Sequence, residues 1–316
     1  MHKIKQQVNI NIIARILIAF SLIILTYGVF LDYTNKSRLY NPITDAVEVN
    51  NNNEYTTIDI NNSGNTKEEV KNNTQNNHKE EYSLEETNTQ FRKQIEDTYS
   101  ISIKYGKETE GYEVGGLTVT TIENPSIINA SLSKLNAVLN LYPKGLFQEI
   151  HSGGIPLTVV LIERYSMGGV TGVTDSSSSR ATISIATAYP FEESFFHESY
   201  HYIERYMFDK KYLSFNNWNS YNPPYFTYGE VNNEYSYASN GGKETSYFVN
   251  NYAQTADTED RASTFEYMMD SEKVTCLNKN QNVWQKAKII SQAIEATLDC
   301  CSPDETEYWE RFLWKK

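Results

Sequence analysis

The chain has 316 residues and a formal net charge of −12, from 28 basic and 40 acidic side chains. No basic stripe is present that could neutralise a phosphate backbone, which argues against nucleic acid as a partner. Cys276, Cys300 and Cys301 are too few and wrongly spaced for a zinc knuckle.

Residues 1–11 read as a basic tail and residues 12–31 as a transmembrane signal anchor. From Ile12 to Leu31 the only charge is Arg15, whose long side chain can snorkel, and about 20 apolar residues suffice to cross a bilayer. No small-x-small cleavage site follows and no cysteine lies nearby for lipid attachment, so the span is expected to stay uncleaved. The positive-inside rule then keeps the tail cytoplasmic, although Lys36 and Arg38 weaken the charge contrast. The expected location is the cell membrane, single-pass, with the remainder of the chain extracytoplasmic. Residues 32–87 read as an Asn-rich disordered linker. Positions 50–77 hold eleven Asn and few large apolar residues, too little to offset the entropy of ordering.

Residues 88–316 are long enough for one domain with a sizeable core. Phe91–Tyr99 is predicted as a short helix and Ser100–Tyr105 as a strand. Pro125–Tyr142 carries Ile128, Leu132, Leu135, Val138 and Leu139 at helical spacing behind Asn124, a plausible cap. Pro156–Ile162 is a near-continuous apolar run suited to a sheet interior, and Ser166–Arg180 is Gly- and Ser-rich and reads as a loop. Arg180–Ala186 alternates apolar and hydroxyl side chains. A long Tyr- and Asn-rich connection follows the next helix through about Gly242, and helices over Asp257–Ser271, Gln281–Leu298 and Glu305–Leu313 close the chain. Strands first and helices later around one core give an α+β class.

The most informative segment is Pro190–Phe208, where Phe195, Phe196, Tyr200, Ile203, Tyr206 and Met207 form the buried stripe of a helix. Inside it His197-Glu-Ser-Tyr-His201 has the HExxH pattern. Histidines four apart project from one helical face, so His197 and His201 can share one Zn²⁺ while Glu198 faces its open side. Two histidines do not complete a site; a third ligand is required.

Downstream, Tyr252 precedes Glu259-Asp-Arg-Ala262 by seven residues. With HExxH, this element resembles the gluzincins, and more closely the zinc-binding metallopeptidases of Gram-positive bacteria. Those are distant relatives of the anthrax lethal factor catalytic domain and the Pro-Pro endopeptidases. The Trp218–Tyr228 segment is similar to the bacterial group as well. The resemblance implies a zincin-like domain, with a mixed sheet carrying an edge strand, an active-site helix and a C-terminal helical subdomain. It implies Glu259 as the third zinc ligand and Tyr252 as a residue facing the metal. The lethal factor pattern has a second Glu four residues after the ligand, where this chain has Ser263. The partner that orients a zinc-bound histidine is therefore open between Asp260, Glu266 and a backbone carbonyl.

The expected activity is that of a membrane-anchored zinc metallopeptidase, an endopeptidase acting on a peptide or protein substrate. Glu198 would serve as the general base and Tyr252 as a hydrogen-bond donor to the oxyanion. Arg180–Ala186 is expected to be the edge strand on which an extended peptide could pair. Two other readings stand beside it: a catalytically silent binding module of the same fold, and a zinc hydrolase of cell-wall peptides. In an extracytoplasmic compartment Cys276 could bridge to Cys300 or Cys301 across the Gln281–Leu298 helix, unless that helix holds its ends too far apart.

Overall fold

The computed structural model describes residues 69–211, 213–301 and 306–314. The span read at residues 12–31 lies outside them, as do residues 32–68 of the linker. Among the described residues no helix is long and apolar enough to cross a membrane.

Helix α1, Glu69–Tyr99, begins inside the segment expected to be a tether. Residues 69–87 are thus helical, a correction to the linker reading. Glu, Lys and Gln are good helix formers, and a helix does not need an apolar stripe along its whole length to form. Its last turns contact the domain. Ile95 is buried, and Asn88 donates to the Pro125 carbonyl at 2.8 Å and accepts from Asn129 Nδ2 at 2.8 Å.

A four-stranded sheet follows, in the order β1 (Ser102–Lys104), β4 (Leu157–Ile162), β7 (Arg180–Ala186), β6 (Gly172–Ser177). The first three strands are parallel, and β6 runs antiparallel to β7 with Gly172 opposite Ile185 and Ser177 opposite Arg180. The hairpin β2 (Glu113–Val114) and β3 (Leu117–Thr120) pairs with β5 (Arg164–Tyr165) in a second, smaller sheet. Helix α2, Pro125–Leu139, is capped as expected: Asn124 accepts from the Ser126 N–H at 2.9 Å. A short α3, Leu146–Ser152, leads into β4.

Both faces of β4 are covered, which its apolar run required. Leu157, Val159, Leu161, Ala181, Ile183 and Ile185 face the main core with the helices. Val160, Ile162 and Ala186 face the other way, under Val114 and Tyr165 of the small sheet. The edge strand is not where the sequence suggested. Arg180–Ala186 is bonded on both sides, and the edge beside it belongs to β6, drawn from the Gly/Ser segment read as loop. An edge strand with one wet face needs no large apolar residues, so Gly-Val-Thr-Asp-Ser-Ser carried no strand signal.

Helix α4, Phe191–Lys211, packs beneath β6 and β7 and against α5, Asp257–Met269. The short α6, Val274–Leu277, and the long α7, Gln281–Thr297, complete the helical part. The last expected helix is a 3-10 segment, Tyr308–Trp314, anchored by the fully buried Trp309. Cys276, Cys300 and Cys301 are free thiols.

Candidate metal centre

α4 presents its two histidines one turn apart, with ring centroids 5.0 Å apart. Its first turn carries Glu192 and Glu193 and its last Lys210 and Lys211, both favourable to the helix dipole. His197 and Glu198 are buried, while His201 is partly exposed.

Glu259 reaches this pair from the first turn of α5, 62 residues further along the chain. Its Oε2 lies 3.0 Å from His197 Nε2 and 3.4 Å from His201 Nε2. One ligand atom from each of the three residues falls within 4.8 Å of the others. Metal–ligand bonds of about 2.0–2.1 Å in a tetrahedron separate neighbouring ligand atoms by roughly 3.3 Å, so the donor set fits one zinc ion. Two imidazoles and a carboxylate also suit zinc chemically.

Glu266 approaches the other nitrogen of His197. Its Oε2 is 3.6 Å from Nδ1, and its Oε1 accepts from Lys273 Nζ at 2.8 Å. Lys273 in turn pairs with Glu193 at 2.6 Å, so a chain of alternating charge runs from His197 back to the start of α4. Burial disfavours a charged His197, but the hydrogen bond to Glu259 and the approach of Glu266 outweigh it and raise its pKa to about 10. Burial likewise disfavours the Glu259 carboxylate, yet the two histidines hold its pKa well below the usual range. Glu266 is also lowered, because Lys273 and His197 outweigh its burial.

Of the three orienting partners left open by the sequence, Glu266 is the one beside His197. Seven residues from Glu259 is two helical turns, which returns the chain to the same face. Asp260, one residue on, turns about 100° away and serves a different purpose. Its Oδ2 accepts from Trp218 Nε1 at 2.8 Å, the Tyr228 hydroxyl at 2.8 Å and Lys286 Nζ at 2.7 Å. Asp260 and Lys286 are fully buried, and Lys286 also donates to the Tyr247 carbonyl at 2.9 Å. Next along the helix, Arg261 pairs with Glu204 of α4 in a second buried ion pair. The residues just after Glu259 are thus tied to α7, to the Trp218–Tyr228 segment and to the histidine helix. Removing one partner of such a buried pair typically costs about 3–5 kcal/mol.

Tyr252 opens the 3-10 turn Tyr252–Gln254, and its ring centroid is 5.5 Å from that of His197. Burial and the nearby Glu259 and Glu198 carboxylates push its pKa well above the normal phenol value, so it stays a proton donor. All five residues singled out by sequence, His197, Glu198, His201, Tyr252 and Glu259, therefore meet in one place. What sequence missed was support: Lys273, Glu193 and the strand β6 that covers Glu198.

No protein-family profile and no curated protein matches this sequence. Among solved structures, the chain is similar to a candidate zinc-binding metallo-peptidase from Bacteroides caccae. The two share 13% identity with a TM-score of 0.47, over 74% of this chain and 91% of that one.

Proposed function

We propose that this chain is a zinc metallopeptidase of gluzincin type. His197, His201 and Glu259 would hold the ion. When bound, zinc supplies Lewis acidity, lowering the pKa of coordinated water to about 7 and polarising a carbonyl. Glu198 takes a proton from the attacking water and delivers it to the leaving amine nitrogen. Tyr252 donates a hydrogen bond to the carbonyl oxygen as that oxygen gains charge. The free edge of β6, beside Glu198, offers backbone groups with which an extended peptide can pair. Interior sites of a peptide or protein chain are the expected targets. In this reading the domain works outside the cell, tethered by the apolar span at residues 12–31.

The observation that carries the reading is the arrival of Glu259 within 3.0 Å and 3.4 Å of the two imidazoles. The test is digestion of an unbiased peptide mixture with zinc content measured in parallel. Glu198→Gln should keep stoichiometric zinc and lose hydrolysis. Glu259→Ala should lose the metal; full retention would move the third ligand elsewhere. Tyr252→Phe should keep zinc and lose about 100- to 1000-fold in turnover. A zinc-loaded parent that cleaves nothing would sink the peptidase reading in favour of a binding module.

A further inference from the structure

Strand β6 is fixed to the carboxylate-bearing turn of α4 in two ways. The Thr174 hydroxyl donates to the Glu198 backbone carbonyl at 2.9 Å. Two residues earlier, Gly172 lies directly over the Glu198 side chain. A methyl group at Gly172 would stand 2.6 Å from Glu198 Cγ, 3.0 Å from Oε1 and 3.2 Å from Cδ. The first of these is a collision. Backbone conformation is not what demands glycine here, because Gly172 is the first residue of a strand and does not have a positive φ. What excludes a side chain is the space Glu198 occupies.

We propose that Gly172 is the positioning residue for Glu198: the notch left by its missing Cβ seats the carboxylate under the sheet edge. Proton transfer needs the carboxylate within hydrogen-bond reach of both the water and the departing nitrogen, and an error of about 1 Å can cost on the order of 100-fold. The seat makes the position of Glu198 a property of the strand edge and not only of its own helix. Any peptide paired along β6 would share that frame. When the notch is filled, the Glu198 side chain should yield first. It turns about its own χ angles, while the strand is held by its ladder to β7 and by Thr174.

The inference rests on Glu198 being the proton-transfer group, so its test has one arm that depends on activity and one that does not. In the first, Gly172→Ala should keep stoichiometric zinc, leave KM within about twofold and lower kcat by about 100-fold. Gly168→Ala, at a glycine with nothing within 4 Å, should leave kcat unchanged. Parental kcat in the zinc-loaded Gly172 variant overturns the proposal. In the second, Gly172→Ala is made with and without Glu198→Ala and the thermal midpoint is measured. The glycine change should lower the midpoint when Glu198 is present, and leave or raise it when Glu198 is alanine. Equal shifts in both backgrounds mean Glu198 does not occupy the notch, and they overturn the proposal even if no substrate is found. A parent without peptidase activity but with the expected midpoint pattern rejects the enzyme and retains the seat.

Discussion

At the residue scale, the participant that the sequence left among alternatives is Glu266. It is the carboxylate beside His197 Nδ1, and Lys273 holds it from behind at 2.8 Å. A partner of this kind fixes the ring orientation and raises the ring's basicity towards a metal, and its loss typically costs 10- to 100-fold in affinity. Glu266→Gln should therefore weaken zinc binding by about 10- to 100-fold in competition with a chromogenic chelator. Glu193 would remain to pair with Lys273. Unchanged affinity would mean that His197 is oriented by something else. The HExxH spacing made three site residues legible, because a helix of known pitch turns spacing directly into direction. Glu266 was left among alternatives for the opposite reason: its role depends on how α5 is rotated against α4. That rotation is set by Asp260 and Arg261 through partners spread over Glu204, Trp218, Tyr228 and Lys286.

At the element scale, strongly periodic segments such as α2, α4 and α7 were legible to within a few residues, as was the apolar β4. The edge strand β6 was not, since its place comes from pairing with β7 and packing on α4. The C-terminal 3-10 segment shows a further interaction that pattern reading passes over. Glu310, buried within Tyr308–Trp314, accepts from the Ser291 hydroxyl of α7, and Arg311 donates to the Met269 carbonyl at 3.1 Å, at the end of α5. Glu295 of α7 shares a hydrogen bond with Glu310; that bond, then burial and then repulsion from Glu310 and Glu307, raise its pKa from 4.5 to about 7. A carboxyl group whose pKa is raised on folding contributes stability that is complete below its unfolded value and is lost as pH climbs through the folded one. The docking of this segment should thus be tightest below about pH 4.5 and weaken as pH rises from there through about 7. Glu295→Gln supplies a permanent donor to Glu310. Its thermal midpoint should match the parent at pH 4 and exceed it at pH 8; parallel curves would show that no proton is shared.

For the whole molecule, a metal held at this candidate site would cross-link helices distant in sequence. His197 and His201 belong to α4 and Glu259 to α5, and the chain between them forms the long polar connection. An ion bound to this set is bound only by the folded protein, so it stabilises by mass action, about 2.7 kcal/mol when free zinc is 100-fold above the dissociation constant. For a domain of this size each kcal/mol moves the midpoint by about 2–4 °C. Stripping zinc with a chelator should therefore lower the thermal midpoint by roughly 5–10 °C, and restoring zinc should return it. Glu259→Ala should show little of this response, because only the two imidazoles remain. Glu198→Gln should show all of it, since its carboxylate is no part of the donor set. A midpoint indifferent to chelation in the parent would mean that α4 and α5 are joined by Arg261–Glu204 and the apolar core alone, with the three donors merely neighbours.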